Sequence, residues 1–150
     1  MLGVENVMPN TQVITMVKSK FAEAIEASND GFYDILTIDK TELYTLCEIL
    51  KEAGFNYLAN LTAVDYTDKF VMVYHIHSIP DNQRIMVKTE LEHDNPTVDS
   101  VVNIWKTADW QEREVYDLLG INFTNHPNLI RILLPYDFTE HPLRKDFKLK

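Results

Sequence analysis

Arg84-Ile85-Met86-Val87-Lys88-Thr89-Glu90-Leu91-Glu92 is the stretch on which the fold turns. Ile85, Val87, Thr89 and Leu91 alternate with Arg84, Met86, Lys88 and Glu90, which is the period-2 pattern of a strand with one packed face and one wet face. Two further strand-like runs precede it, Tyr57 to Tyr66 and Phe70 to Ile79. The polar separators Thr67-Asp68-Lys69 and Pro80-Asp81-Asn82-Gln83 suit tight reversals between the three. Together they predict an antiparallel meander whose dry face must be covered by helices.

The covering helices are predicted on both sides of the meander. Val13, Val17, Phe21 and Ile25 recur every four residues and predict a helix ending near Ser28-Asn29-Asp30-Gly31, whereas Met1 to Asn10 shows no period. Phe32 to Ile38 reads as a strand. Asp39, followed three residues later by Glu42, is a capping-box pattern that opens a second helix, and that helix should stop at Gly54. Leu43, Leu46, Cys47, Leu50 and Ala53 share one face of it, which places the lone thiol among core side chains. After the break at His93-Asp94-Asn95-Pro96, Val98 to Leu119 reads as helical in one or two pieces, with Gly120 as a left-handed cap. Pro127, Pro135 and Pro142 forbid a long helix beyond Ile121, so the C-terminal part is predicted to be extended. The expected architecture is α+β: an antiparallel-rich sheet covered by helices over residues 1–130, followed by an extended C-terminal docking segment over residues 131–150.

A chain of 150 residues, 45% of them hydrophobic, is long enough for one domain with its own core. Its net charge of -9 argues against nucleic acid and anionic membranes as partners, since both demand a dense positive face. The charge is uneven. Residues 131–150 hold Arg131, Arg144, Lys145, Lys148 and Lys150 against Asp137, Glu140 and Asp146, so a tail of +2 follows a body of -11. Tyr136, Phe138, Leu143 and Phe147 make that tail too apolar for ordinary disorder. With Cys47 alone, no intrachain disulfide or cysteine-ligated cluster can form, and a reducing compartment is expected. Nothing reads as a secretory signal or a membrane span, so any membrane contact is expected to be indirect.

The chemistry-bearing residues point to recognition. His75 and His77 lie two apart on one strand face, roughly 7 Å from each other, but without a further ligand cluster nearby they read as sheet residues, and a free-standing metalloenzyme built on them is disfavoured. Glu112 and Glu114 resemble an acid/base pair. Helical spacing instead sets Arg113 between Asp109 and Asp117 as a charge ladder along a solvated face. Trp105 and Trp110 flank that ladder, and aromatic residues beside arginine are what protein interfaces favour. His126 and His141 each precede proline, which fixes where the imidazole projects, and carboxylates or backbone carbonyls are the targets expected for them.

Glu112-Arg-Glu-Val-Tyr-Asp-Leu-Leu-Gly-Ile-Asn-Phe123, His126-Pro-Asn-Leu129 and His141-Pro-Leu-Arg-Lys-Asp-Phe147 closely resemble the C subunit of respiratory complex I, the NADH:quinone oxidoreductase. Ala63-Val-Asp-Tyr66 and Ser100 to Trp110 also look like that family. The resemblance implies a cofactor-free subunit of the hydrophilic arm, peripheral on the cytoplasmic side of the membrane. NADH, FMN, iron–sulfur clusters and quinone would sit on other subunits, and the tail would grip the D subunit near the quinone pocket, with the B subunit alongside. It also implies that Glu112, Arg113, Glu114, Asp117, His126, Pro127, Arg131, His141, Pro142, Leu143, Arg144, Lys145, Asp146 and Phe147 bind partners and that none is catalytic. Ile130, Phe138 and Glu140 stand where the family usually has arginine, tryptophan and glycine. The same module resembles subunits of energy-converting membrane-bound nickel–iron hydrogenases and of ferredoxin-, F420- or plastoquinone-linked complexes.

Overall fold

Strands β3 (Tyr57–Asp65), β4 (Lys69–His77) and β5 (Arg84–Glu92) form the antiparallel meander that the alternation predicts. In the computed structural model, which describes residues 9–135 and 137–147, Ile85, Val87, Thr89 and Leu91 are all buried and face Ile76, Tyr74, Met72 and Phe70 of β4. Of the irregular start expected for Met1 to Asn10, residues 1–8 lie outside the described residues, as do Tyr136, Lys148 and Lys150 of the tail, and Asn10 is already helical.

The sheet is larger than the meander. β1 (Ile25–Asn29) pairs antiparallel with β2 (Asp34–Ile38), and β2 pairs with β5 in parallel, giving the order β1-β2-β5-β4-β3. Parallel neighbours need a long crossover, and here α2 (Leu43–Glu52) lies between β2 and the meander in sequence. The first helix is correspondingly shorter than expected. α1 (Asn10–Phe21) buries Val13, Val17 and Phe21, but Ala22 adopts a φ of +52° and a short 3-10 turn follows. Ile25, the fourth member of the periodic set, is buried as the first residue of β1. Strand pairing gives residues 25–29 backbone partners that a helix end would leave open.

The other helix boundaries also shift for identifiable reasons. Asp39 bonds the Thr41 N–H instead of closing a reciprocal box with Glu42, so a 3-10 turn at Lys40–Glu42 leads into α2, which ends before Gly54 at φ +108°. Cys47 is fully buried on α2, and burial pushes its thiol above the ordinary range, which keeps it protonated and inert. The predicted helix from Val98 is replaced over its first ten residues. β6 (Thr97–Asp99) pairs in parallel with β7 (Asn122–Thr124), turns follow, and α3 (Ala108–Leu119) begins only at Ala108. Side chains hold this loop open. The Trp105 indole donates to the Phe55 carbonyl at 3.0 Å and Lys51 donates to the Ile104 carbonyl at 2.9 Å.

α3 also seals an edge of the sheet. The Gln111 side-chain oxygen accepts the Leu61 N–H at 2.6 Å, and Thr107 Oγ1 donates to the Leu58 carbonyl at 3.3 Å, so part of the exposed ladder of β3 is covered. On the opposite sheet face Tyr33 Oη bonds His77 Nε2 at 2.9 Å and packs edge-on against His75.

Gly120 caps α3 at φ +77°, and a Cβ there would lie 2.7 Å from His141 Cδ2 and 3.0 Å from an Arg144 nitrogen. Gly120→Ala should therefore cost about 1–3 kcal/mol from the left-handed backbone alone, with the tail displaced as well. Urea unfolding that leaves the midpoint unchanged would contradict this account of the cap.

Candidate functional site: a tail clasped to its own helix

The C-terminal segment is folded back onto the body. Residues 131–147 contain no helix or strand among those described, only turns, bends and irregular backbone, and the tail is bonded to α3 at residues 131–134 and again at 141–144. Asp117 is the first anchor. Its carboxylate is fully buried, with Oδ1 accepting Arg131 Nη1 at 2.8 Å and Oδ2 accepting the N–H groups of Ile132, Leu133 and Leu134 at 3.1, 2.7 and 3.1 Å. Burial alone would raise its pKa. The Leu133 N–H, the Arg131 guanidinium and the Ile132 and Leu134 N–H groups outweigh burial and hold the carboxyl below its ordinary range.

The second anchor is the C-terminal end of α3 itself, whose last turn contains no basic residue. The tail supplies what is missing. His141 Nδ1 donates to the Asp117 carbonyl at 3.1 Å, the Leu143 N–H to the Leu118 carbonyl at 2.9 Å, and Arg144 Nε to the Leu119 carbonyl at 2.6 Å. These are among the carbonyls a helix end leaves without partners, and an arginine there also opposes the negative end of the helix dipole. Burial lowers the pKa of His141, which favours the neutral ring that fits this contact.

Asp65, at the end of β3, is the third anchor. Its Oδ2 accepts the Lys145 N–H at 2.8 Å, and its Oδ1 accepts the Thr67 N–H at 2.8 Å and His93 Nε2 at 3.0 Å. Burial acts upward on this carboxyl too, but the Lys145 and Thr67 N–H groups and His93 prevail and the pKa is lowered. The Arg144 guanidinium lies over the Phe70 ring at 5.3 Å, and that ring stacks on His93 at 4.6 Å.

The acids of α3 have separate fates, and the Asp109–Arg113–Asp117 ladder does not form. Asp117 turns inward to Arg131, Asp109 lies beside His126, and Arg113 places its guanidinium 5.3 Å over Trp110, whose indole donates to Glu114 at 3.0 Å. Glu112 is fully buried rather than solvated. It accepts Ser100 Oγ at 2.5 Å and the Val101 N–H at 2.9 Å, and burial pushes its pKa up to about 7. The two tryptophans part company: Trp105 belongs to the core and Trp110 is 53% exposed.

Three of the residues expected to bind partners have their side chains inside the chain itself. Glu112, Asp117 and the His126 side chain have no exposed surface, so they shape the tail from inside. Arg131, His141, Pro142, Arg144 and Phe147 are half-buried, Arg113 and Glu114 flank Trp110 half-buried on α3, and Pro127, Leu143, Lys145 and Asp146 are exposed. Sequence reasoning assigned no role to Asp65, His93 or Ser100. Asp65 carried a signal, being a carboxylate in register with the inward-facing Leu61 and Ala63.

The family model for the respiratory-chain NADH dehydrogenase, 30 Kd subunit, matches residues 36–150. The C subunit of the NADH-quinone oxidoreductase of Moorella thermoacetica is 48% identical over 118 residues, covering 77% of this chain and 80% of that protein. The corresponding C subunit of Citrifermentans bemidjiense is 39% identical over 146 residues, covering 94% and 91%. Among solved structures, the trypsin-resistant fragment (1-134) of Nqo5 superposes with a TM-score of 0.70 at 27% identity, over 79% of this chain and 99% of that one. A chain of the membrane-bound sulfane sulfur reductase, an archaeal respiratory membrane complex, shares the fold with a TM-score of 0.80 at 23% identity, over 93% of this chain and 85% of that one. Matched over most of its length by that family model and by relatives at this level of identity, the chain belongs to the respiratory-chain NADH dehydrogenase 30 Kd subunit family.

Proposed function

We propose that the chain is a cofactor-free scaffold subunit of a complex I-type NADH:quinone oxidoreductase. In this reading it holds the neighbouring B and D subunits in register on the cytoplasmic side of the membrane, and it meets the membrane only through the complex. NADH, FMN, iron–sulfur clusters and quinone then reside on other subunits, and the work of this chain is positional. One observation carries the reading: the tail is tied down by hydrogen bonds to the buried side chains of Asp117 and Asp65 while Ile130, Leu133 and Leu143 remain 50%, 54% and 60% exposed. Large apolar side chains fixed on a surface mark an interface, and Trp110 with its stacked Arg113 is the residue pairing that interfaces favour. No helix among the described residues is long and apolar enough to cross a membrane, which suits a peripheral place.

Ile130, Phe138 and Glu140, the departures from the usual complex I pattern, favour a second reading as the equivalent subunit of a membrane-bound nickel–iron hydrogenase or a ferredoxin- or F420-linked complex. Two CxxC pairs in the adjacent large-subunit homologue would select the hydrogenase, and their absence would select a quinone-type acceptor.

Leu143→Glu tests docking apart from folding. Leu143 is exposed, so the isolated chain should keep its stability within about 0.5 kcal/mol, while co-purification with the D-type subunit should fall at least roughly tenfold, ~1.4 kcal/mol. Undiminished co-purification would remove the docking claim, and Arg144→Ala should lower it as well. Asp117→Ala strands Arg131 and should cost about 3–5 kcal/mol, with the tail becoming sensitive to protease; a resistant tail contradicts the clasp. Asp65 and Asp117 both sit below their ordinary 3.8, so the stability they contribute is complete above that pH and is lost as pH falls through their folded-state values. Protease sensitivity of the tail should accordingly rise on acidification below pH 3.8, as these two carboxylates take up protons.

A further inference from the structure

The segment that leads into the tail carries a second cluster of titratable groups, which the docking role does not use. His126 lies with its side chain fully buried between two acids of α3. Its Nδ1 accepts the Asn128 N–H at 2.9 Å, so Nε2 carries the ring proton. That proton is directed at the Asp109 carbonyl at 3.2 Å. Two carboxylate oxygens wait beside it. Asp109 Oδ1 is 3.1 Å away, buried and without a hydrogen bond, and Glu112 Oε1 is 3.9 Å away.

We propose that Glu112 and His126 form a proton-controlled latch on the Asn125–Asn128 turn, with the protonation of Glu112 deciding which acceptor takes the His126 Nε2–H. While Glu112 is a neutral acid, the imidazole donates to the Asp109 carbonyl and its Nδ1 holds the Asn128 N–H. Once Glu112 is a carboxylate it is a stronger acceptor than a carbonyl, because hydrogen bonds to ionised groups are about twice as strong, and, being fully buried where the Asp109 side chain is 49% exposed, it draws the proton without competition from water. The ring then swings toward Oε1 and withdraws Nδ1 from Asn128. Arg131, Ile132, Leu133 and Leu134 begin two residues further on, after Leu129 and Ile130, so the turn sets the start of the clasp on Asp117.

The surroundings of Glu112 make its proton labile near neutrality. From the β6–α3 loop it receives only the Ser100 hydroxyl and the Val101 N–H, and from its own helix the Asp109 charge acts against its ionisation. Cys47 of α2 and Tyr74 of β4 also face it electrostatically, and burial raises both above their ordinary ranges, so neither offers a charge at pH 7. Asp99 of β6 adds a negative charge near Tyr74. The His126 Nε2–H is a further donor within reach of Glu112 in this cluster. Burial pushes the Glu112 carboxyl up to about 7, against an ordinary 4.5.

Nitrogen-15 NMR of the full chain between pH 6 and 8.5 tests the latch. The His126 ring nitrogens and the Asn128 amide should shift together with one midpoint near neutrality, and Asn128 amide exchange, corrected for its intrinsic pH dependence, should quicken at least tenfold above that midpoint. Glu112→Gln should abolish the transition. Ser100→Ala removes a donor that favours the carboxylate and should move the midpoint upward. A transition that persists in Glu112→Gln belongs to His126 itself and overturns the proposal, as does the absence of any transition in the unaltered chain. If Glu112→Gln fails to fold, Ser100→Ala decides: an unmoved midpoint overturns the latch and a raised one supports it.

Discussion

Everything in the C-terminal third depends on one buried carboxylate. A carboxylate with no access to water costs several kcal/mol in desolvation, and only a nearly complete set of donors offsets that cost. Asp117 has four, and all of them come from residues 131–134. Helix and tail are therefore mutually required. Without the tail α3 would hold an unpaired buried charge, and without α3 the turn at 131–134 would have no acceptor for three consecutive N–H groups. The segment predicted to be an extension is thermodynamically part of the fold.

That dependence changes how the charge of the tail is understood. A basic tail on an acidic body suggests electrostatic docking, but Arg131 is committed to Asp117 and Arg144 to the Leu119 carbonyl and the Phe70 ring. Those cations are spent internally. What the clasp offers outward is shape and apolar area at Leu133 and Leu143, held in place before any partner arrives. Ordering a loop or a rotamer-rich side chain on binding costs roughly 0.5–1.5 kcal/mol per side chain, and a tail already fixed by its own body avoids most of that loss. In the proposed docking role the arginines would act through preorganisation.

The meander was legible because alternation is a local property: Ile85, Val87, Thr89 and Leu91 show their common face within nine residues. The parallel join of β2 to β5 was not, since pairing across some fifty residues leaves no local trace. Ile25 shows the same limit from another side. It fits the helical period and is buried as that period requires, yet strand pairing sets its backbone. At the site, the motif residues were visible but their roles were inverted. Helical spacing placed Asp109, Arg113 and Asp117 in a solvated row, because i,i+4 neighbours always look paired on a wheel. The burial of Asp117 depends on backbone N–H groups fifteen or more residues away, and backbone donors have no sequence signature at all.

The two buried carboxylates of α3 show how completely donor number governs their chemistry. Glu112 and Asp117 are five residues apart on one helix, and both are fully buried. Glu112 meets a hydroxyl and one N–H, and its pKa rises; Asp117 meets a guanidinium and three N–H groups, and its pKa falls. An anion in the last turn of a helix is also opposed by the dipole. Asp117 tolerates that position only because His141 and Arg144 bond the same helix end. The tail thus does two electrostatic tasks with one pass of chain, neutralising the Asp117 carboxylate and then the carbonyls behind it. Glu112, which lies out of reach of that pass, is left as the acid of α3 free to change its charge near neutral pH.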